Sequence, residues 1–188
     1  MRKNYLENQC IKTIYFGGGT PSLLESDDLK SIFDALNQNF DLSFCEEITL
    51  ECNPDDLSEN YVRQLTNLPI NRLSIGIQSF NDSELKFINR RHSAKQAEDT
   101  VKRCQQNGFS NISVDLIFGL PFQTLESFEY NIDKAIELNV QHISVYGLTF
   151  ENGTKIEQQR QQKLFNEIDE ETSILMYQAA IEKLTFAG

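Results

Sequence analysis

Arg72-Leu73-Ser74-Ile75-Gly76-Ile77, running into Gln78-Ser79-Phe80, is the stretch on which the fold turns. Leu73, Ile75 and Ile77 alternate with Ser74, Gly76 and Gln78. A two-residue period puts the first set on one face of a strand and the second set on the other. Strands buried on both faces read as near-continuous apolar runs. This one has an apolar face and a small or polar face. One side wants helices; the other must look into something wet or ligand-filled.

The same division recurs on both sides of it. Thr13–Phe16, Glu47–Glu51, Asn111–Ile117 and His142–Tyr146 are the other strand candidates. Ile14, Phe16, Ile48, Leu50, Ile112, Val114, Leu116, Ile143 and Val145 make the apolar face. Thr13, Tyr15, Thr49, Glu51, Ser113, Asp115, Ser144 and Tyr146 make the polar one.

Helical patterns separate the strands. Leu29, Ile32, Phe33, Leu36 and Phe40 form one stripe after a predicted cap at Ser26. Tyr61, Val62 and Leu65 mark a short helix from Ser58, and one or two turns follow near Asp82 to Ile88. Ser93 with Gln96 reads as a capping box before Ala97, Val101 and Cys104, and Gly108 as a C-cap. Thr124 to Leu138 follows, carried by Phe128, Ile132, Ala135 and Ile136. Glu151 to Gln162 is polar with no strong period. A last helix spans about Glu170 to Leu184, with Leu175, Ala179, Ile181 and Leu184 as anchors.

Five β-α repeats without hairpins imply a parallel sheet with right-handed crossovers. A closed barrel and an open doubly wound sheet both satisfy that order. The two-faced strands fit best a wide partial barrel with a ligand in its lumen, since a tightly packed eight-stranded barrel fills its interior with larger branched side chains. Five units do not close a barrel. The chain stops at Phe186-Ala187-Gly188 directly after a helix, so a piece of a larger protein is expected, short of strands at one or both ends.

The 188 residues suit one large domain, and 39% apolar content is enough for a core. Seventeen Lys and Arg against 28 Asp and Glu leave a net charge of -11. That argues against a nucleic-acid partner, and leaves contact with a membrane only through another protein. No apolar run approaches the ~20 residues that cross a bilayer. The charged opening Met1 to Glu7 has no apolar stretch behind it, so the expected compartment is the cytoplasm. Cys10, Cys45, Cys52 and Cys104 are spaced irregularly and read as buried or half-buried thiols in a reducing compartment.

Several residues could carry chemistry. Gly17-Gly18-Gly19-Thr20-Pro21 lets backbone amides approach a carboxylate or phosphate; it also suits a plain tight turn. Glu51 ends the second strand on the polar face, where it binds an ammonium or hydroxyl, or forms a structural ion pair. Gln78 holds the matching place on the third strand, as a hydroxyl ligand or a satisfied turn residue. Asp115 lies deep in an apolar run; its two oxygens suit a ribose diol or a neighbouring loop's amides. One of Arg90 and Arg91 could fork onto a carboxylate, or both could form a solvated face. Tyr146 could stack on a ligand or simply pack. His92 and His142 stand in no nucleophilic arrangement with a serine or cysteine, and His142 is most simply structural. Jointly, these groups fall at the carboxyl ends of successive strands, where α/β folds hold ligands. They describe a molecule with a charged amino-acid-like or phosphate end and a diol, such as a nucleoside-containing cofactor.

Tyr15-Phe16-Gly17-Gly18-Gly19-Thr20-Pro21-Ser22 resembles the glycine motif of radical S-adenosylmethionine enzymes. More narrowly, it resembles the group of oxygen-independent coproporphyrinogen III oxidases and heme chaperones. Glu51-Cys52-Asn53-Pro54, Gly76-Ile77-Gln78-Ser79-Phe80, Asn89-Arg90-Arg91-His92 and Asp115-Leu116-Ile117-Phe118-Gly119-Leu120-Pro121 resemble further motifs of that group in the same order. The resemblance runs from about residue 11 to the end. It implies an α/β partial parallel (β/α)6 barrel, TIM-like, with residues 1–188 forming part of a single core domain from the second barrel strand onwards. It further implies that Gly18, Gly19 and Thr20 touch the methionine part of S-adenosylmethionine. Glu51 and Arg90 would take its amino-acid end, Gln78 and Asp115 its ribose or adenosine, and Thr149 its adenine.

One departure from the family pattern matters. The group holds a 4Fe–4S cluster through C-x3-C-x2-C in the loop after the first barrel strand, and that motif would precede residue 1. Without it this chain alone is expected to be inactive in the family's radical chemistry. The two branches also differ. Oxidases convert two propionates of coproporphyrinogen III to vinyl groups in porphyrin biosynthesis; heme chaperones bind heme and pass it to acceptor proteins. Ser144-Val145-Tyr146-Gly147-Leu148-Thr149-Phe150-Glu151-Asn152-Gly153-Thr154 resembles the chaperone branch, which is the expected one. The oxidase and a cluster-free, non-enzymatic remnant are the alternatives.

Overall fold

The structure, a computed structural model, describes residues 10–188. The opening stretch Met1 to Glu7 therefore lies outside the described residues. Strand β1 (Thr13–Phe16) is followed by a 3-10 turn at Pro21–Leu23 and helix α1 (Ser26–Asn39). Then come β2 (Glu47–Cys52), α2 (Glu59–Leu65), β3 (Arg72–Gln78), α3 (Asp82–Phe87) and α4 (Ala94–Gln106). The chain continues through β4 (Ile112–Phe118), α5 (Leu125–Glu137), β5 (His142–Gly147), α6 (Lys155–Gln161) and α7 (Glu170–Ala187).

All neighbouring strands pair in parallel, in the unbroken order β1-β2-β3-β4-β5. A doubly wound sheet needs a point where the order reverses. None occurs among the described residues. Right-handed crossovers that always advance the same way lay every helix on one face of the sheet. This is the partial-barrel arrangement. The covered face is the apolar one: Leu50, Leu73, Ile75, Ile77, Ile112, Val114 and Leu116 are fully buried. They pack with Leu29, Val62, Leu65, Ala97, Val101, Phe128 and Ile132 from the helices in one cluster. Each such large side chain contributes about 1.5–3 kcal/mol by leaving water.

Local signals fix most helix ends. Ser58 accepts the amide of Tyr61, Ser93 and Gln96 form the expected capping box, and Thr124 with Ser127 forms another. A cap of this kind contributes about 1 kcal/mol. Ser26 is not the cap of α1. It is the first helical residue; Glu25 precedes it, and its carbonyl takes the amides of Asp28 and Leu29.

Three further expectations change. The polar segment after residue 151 contains α6, capped by Thr154 accepting from the Glu157 amide. Glu157 is bound in turn by Arg160 and Gln161. A seven-residue helix held by a cap and polar pairs carries no apolar stripe to find. In α7, Met176 and Ala180 are the buried residues, while Leu175 and Ile181 are 44% and 50% exposed. The helix is rotated so that its Met176 side packs towards α5, where Lys183 pairs with Asp133 at 2.7 Å. Cys10 is exposed rather than buried; Cys52 and Cys104 are buried and Cys45 half-buried. Burial pushes the Cys52 thiol well up and the Cys104 thiol to about 12, so both stay protonated. No helix among the described residues is long and apolar enough to cross a membrane.

Candidate ligand-binding site

The polar face of the sheet floors a cavity of about 190 Å³ at the carboxyl ends of β2, β3 and β4. Gly19 and Thr20 wall it on one side; Glu51, Gln78, Arg90 and Asp115 face into it. Strand alternation puts them there, since Glu51, Ser74, Gly76, Gln78 and Asp115 all occupy the side away from the helices.

The glycine loop is built for close approach. Gly18 and Gly19 have φ of 80° and 71°, the left-handed region that favours glycine. A Cβ on Gly17 would come within 2.7 Å of the Tyr15 ring and 3.2 Å of the Glu51 carboxyl carbon. The loop's own anion is Glu51. The Gly18 amide donates to Glu51 Oε2 at 3.3 Å, and the Tyr15 hydroxyl donates to Oε1 at 2.8 Å. Burial, and then the Glu51 carboxylate, push Tyr15 up to about 12.

Gln78 reaches the cavity through a distorted strand end. The β3–β4 register shifts between Ile75 and Gln78, and Gln78 has φ of 72°. Such a backbone costs about 1–3 kcal/mol in a non-glycine residue. Its carboxamide folds back over Gly76, where a Cβ would lie 2.8 Å from Gln78 Nε2. A side chain at 76 would push the Gln78 carboxamide out of this position.

Arg90 and Arg91 separate. Arg90 enters the cavity and donates to Asn53 Oδ1 at 2.9 Å. Burial pushes its guanidinium down, against the opposing pull of Asp55 and Asp115. Arg91 instead pairs with Asp55 at 2.6 Å and Asp56 at 3.0 Å. The Asn53 backbone N–H donates to Ser22 Oγ at 3.2 Å, which ties the glycine loop to the Arg90 side of the cavity. Burial raises Asp115 first, with Glu51 adding to it, while hydrogen bonding with Ser144 pulls the other way.

Six of the eight candidate residues therefore meet in one cavity. Gly18 stands next to it and touches it through Glu51. Thr149 does not line it; it is exposed, beyond the end of β5. Tyr146 is 55% exposed, and His142 Nδ1 lies 2.8 Å from the Ser113 hydroxyl, a structural contact. Reasoning from sequence missed Asn53 and Gly76 as members of the site. The dipeptide Asn53-Pro54 after a strand was a visible signal for the first.

The Radical SAM superfamily model matches residues 2–135. The chain belongs to the radical SAM superfamily. Within it, the chain falls in the clade of HemW and HemN. It is 37% identical over 182 residues to heme chaperone HemW of Lactococcus lactis, covering 97% of this chain and 48% of that protein. It is 38% identical to HemW of Bacillus subtilis, covering 95% and 47%. The chain thus spans about half the length of these relatives. Among solved structures, coproporphyrinogen III oxidase HemN of Escherichia coli superposes with a TM-score of 0.83 at 27% identity, covering 94% of this chain and 41% of that one. Elp3 of Methanocaldococcus infernus, at TM-score 0.78 and 22% identity, shares the fold.

Among the described residues no three His, Cys, Asp or Glu side chains gather as metal ligands. Cys52 and Cys104 are buried among apolar side chains, and Cys10 is exposed far along the chain from both. These cysteines do not fit the three-thiolate site of a 4Fe–4S cluster.

Proposed function

We propose that this chain is the S-adenosylmethionine-binding portion of a heme chaperone of the HemW kind. The observation that carries the reading is the convergence of Glu51, Gln78, Arg90 and Asp115 with the Gly19–Thr20 wall on one polar cavity. The donor set suits the ligand. Glu51 offers free lone pairs to an ammonium, Arg90 offers N–H groups to a carboxylate, and Asp115 and Gln78 offer acceptors and donors to ribose hydroxyls. Two carboxylates against one guanidinium leave the cavity negative, which favours a ligand with a sulfonium over its neutral thioether. When bound, S-adenosylmethionine supplies a sulfonium carbon whose cleavage needs an electron from a partner centre. This chain's own residues bind and orient.

The chaperone assignment draws on the 37% and 38% identities to HemW proteins and on the Tyr146 to Thr154 segment. Its full-length counterpart would carry the 4Fe–4S cluster, take up heme and pass it to an acceptor protein in the cytoplasm.

Calorimetric titration with S-adenosylmethionine tests the binding. Saturable binding weakened at least about tenfold by Glu51→Gln is expected; no binding overturns the reading. Heme titration followed by Soret absorbance tests the chaperone assignment on the full-length protein. Propionate loss from coproporphyrinogen III by that protein would instead establish the oxidase.

A further inference from the structure

Glu84, on α3, is 5% exposed, and all of its hydrogen-bonding partners are neutral. The hydroxyl of Ser79 donates to it at 2.6 Å, Nε2 of Gln123 at 2.9 Å, the hydroxyl of Ser127 at 2.9 Å and Nδ2 of Asn131 at 3.2 Å. A carboxylate in such a place is costly unless each lone pair is used. Here four are.

The network reaches the strained backbone of the cavity. Ser79 Oγ accepts the Asn81 amide at 2.9 Å, and Asn131 Oδ1 accepts the Phe80 amide at 2.7 Å. The three residues after Gln78 are thereby held by Glu84 and by one of its donors. On the other side, the Ile77 carbonyl, an acceptor, lies 3.0 Å from His92 Nε2, which makes that nitrogen the donor. Gln78 is thus clamped from both sides in the left-handed conformation that throws its carboxamide into the cavity. Gln123 also accepts the Gly119 amide at 2.9 Å, so the clamp includes the loop after β4, the strand of Asp115.

We infer that Glu84 is a positioning residue for the ligand cavity: it holds the Ser79–Asn81 turn, and through it Gln78, in the geometry that binds. The inference rests on the proposed binding of S-adenosylmethionine. A site needs supporting groups that lock its side chains, and a buried acceptor serving four donors from three segments does that.

A double-mutant cycle in this chain tests it, with S-adenosylmethionine as the calorimetric probe. Glu84→Gln puts an amide N–H among donors. It should weaken binding about tenfold in the native background and less than about twofold in a Gln78→Ala background. A general loosening of the fold would weaken both backgrounds alike, and that result overturns the inference, as does native affinity in the single variant. Should Glu84→Gln not fold, Ser79→Ala carries the same cycle, because it leaves the carboxylate in place and cuts its direct link to the turn. If the native chain binds no S-adenosylmethionine, the functional reading falls and this inference with it. If the native chain binds but the two changes prove additive, only the inference falls.

Discussion

The hydroxyl of Tyr15 donates to Oε1 of Glu51 at 2.8 Å, across two neighbouring parallel strands. The Gly18 amide takes the other oxygen. The carboxylate is therefore aimed before any ligand arrives. Tyr15→Phe should weaken binding of S-adenosylmethionine several-fold, less than the full worth of a charge-assisted bond, because Tyr15 is 56% exposed. Binding of 5′-methylthioadenosine, which lacks the ammonium, should not change. Equal losses for the two ligands in calorimetry would refute the assignment of Glu51 to the ammonium. Glu51→Gln should also lower the Tyr15 titration from about 12, but only part of the way to 10, because burial and the Asp115 charge remain. Alkaline absorbance titration reads this directly.

Asp115 gives the site a pH dependence. Burial raises its pKa above the ordinary 3.8. The folded chain holds that proton more tightly than the unfolded chain. Stability without ligand therefore declines as pH climbs from the ordinary value to the raised one. Cation binding runs the opposite way, since only the ionised form attracts the ligand. Affinity should rise with pH through the raised pKa, and Asp115→Asn should remove that step while flattening the stability decline. An unchanged affinity profile in Asp115→Asn would count against Asp115 as a ligand group.

His92 acts on stability. Its side chain is fully buried, Nε2 is committed to Ile77, and Nδ1 has no hydrogen-bond partner. Burial lowers its pKa below 6.5; Ile77 and Asp55 oppose this, and Arg90 adds to it. In that window the unfolded chain binds more protons, so the stabilising contribution is full above 6.5 and is lost as pH falls through the lowered value. The urea midpoint should drop between pH 7.5 and 5, and His92→Gln should show a smaller drop. Equal drops would place the acid sensitivity elsewhere.

The glycines of the loop should differ in kind. Gly17→Ala drives a methyl into Tyr15 and Glu51, so it should impair binding. Gly19→Ala meets no atom within 4 Å but keeps a left-handed φ of 71°, so it should cost about 1–2 kcal/mol of stability. Thermal unfolding and calorimetry on the two variants separate these effects; the reverse pattern would sink the account.

The fold was legible because strand alternation is a strong local signal. Leu73, Ile75 and Ile77 behave as the pattern demands, and Glu51 and Asp115 follow from the same parity. Gln78 was legible as a position but not as a conformation. Its left-handed backbone depends on Ser79, Glu84 and Asn131, the last of them more than fifty residues away. Helix α6 escaped because capping and ion pairs hold it rather than an apolar stripe. The orientation of α7 escaped because apolar residues lie on several of its sides, and only its packing on α5 selects Met176 and Ala180.

The two-faced strands also sort the effects of sequence drift. In β3 the odd positions Leu73, Ile75 and Ile77 answer to volume, and the even positions Ser74, Gly76 and Gln78 answer to chemistry. A change of shape at an odd position alters how long the chain stays folded and leaves its choice of ligand alone. A change at an even position alters the groups that the cavity presents. One strand thus carries two kinds of constraint, set one residue apart.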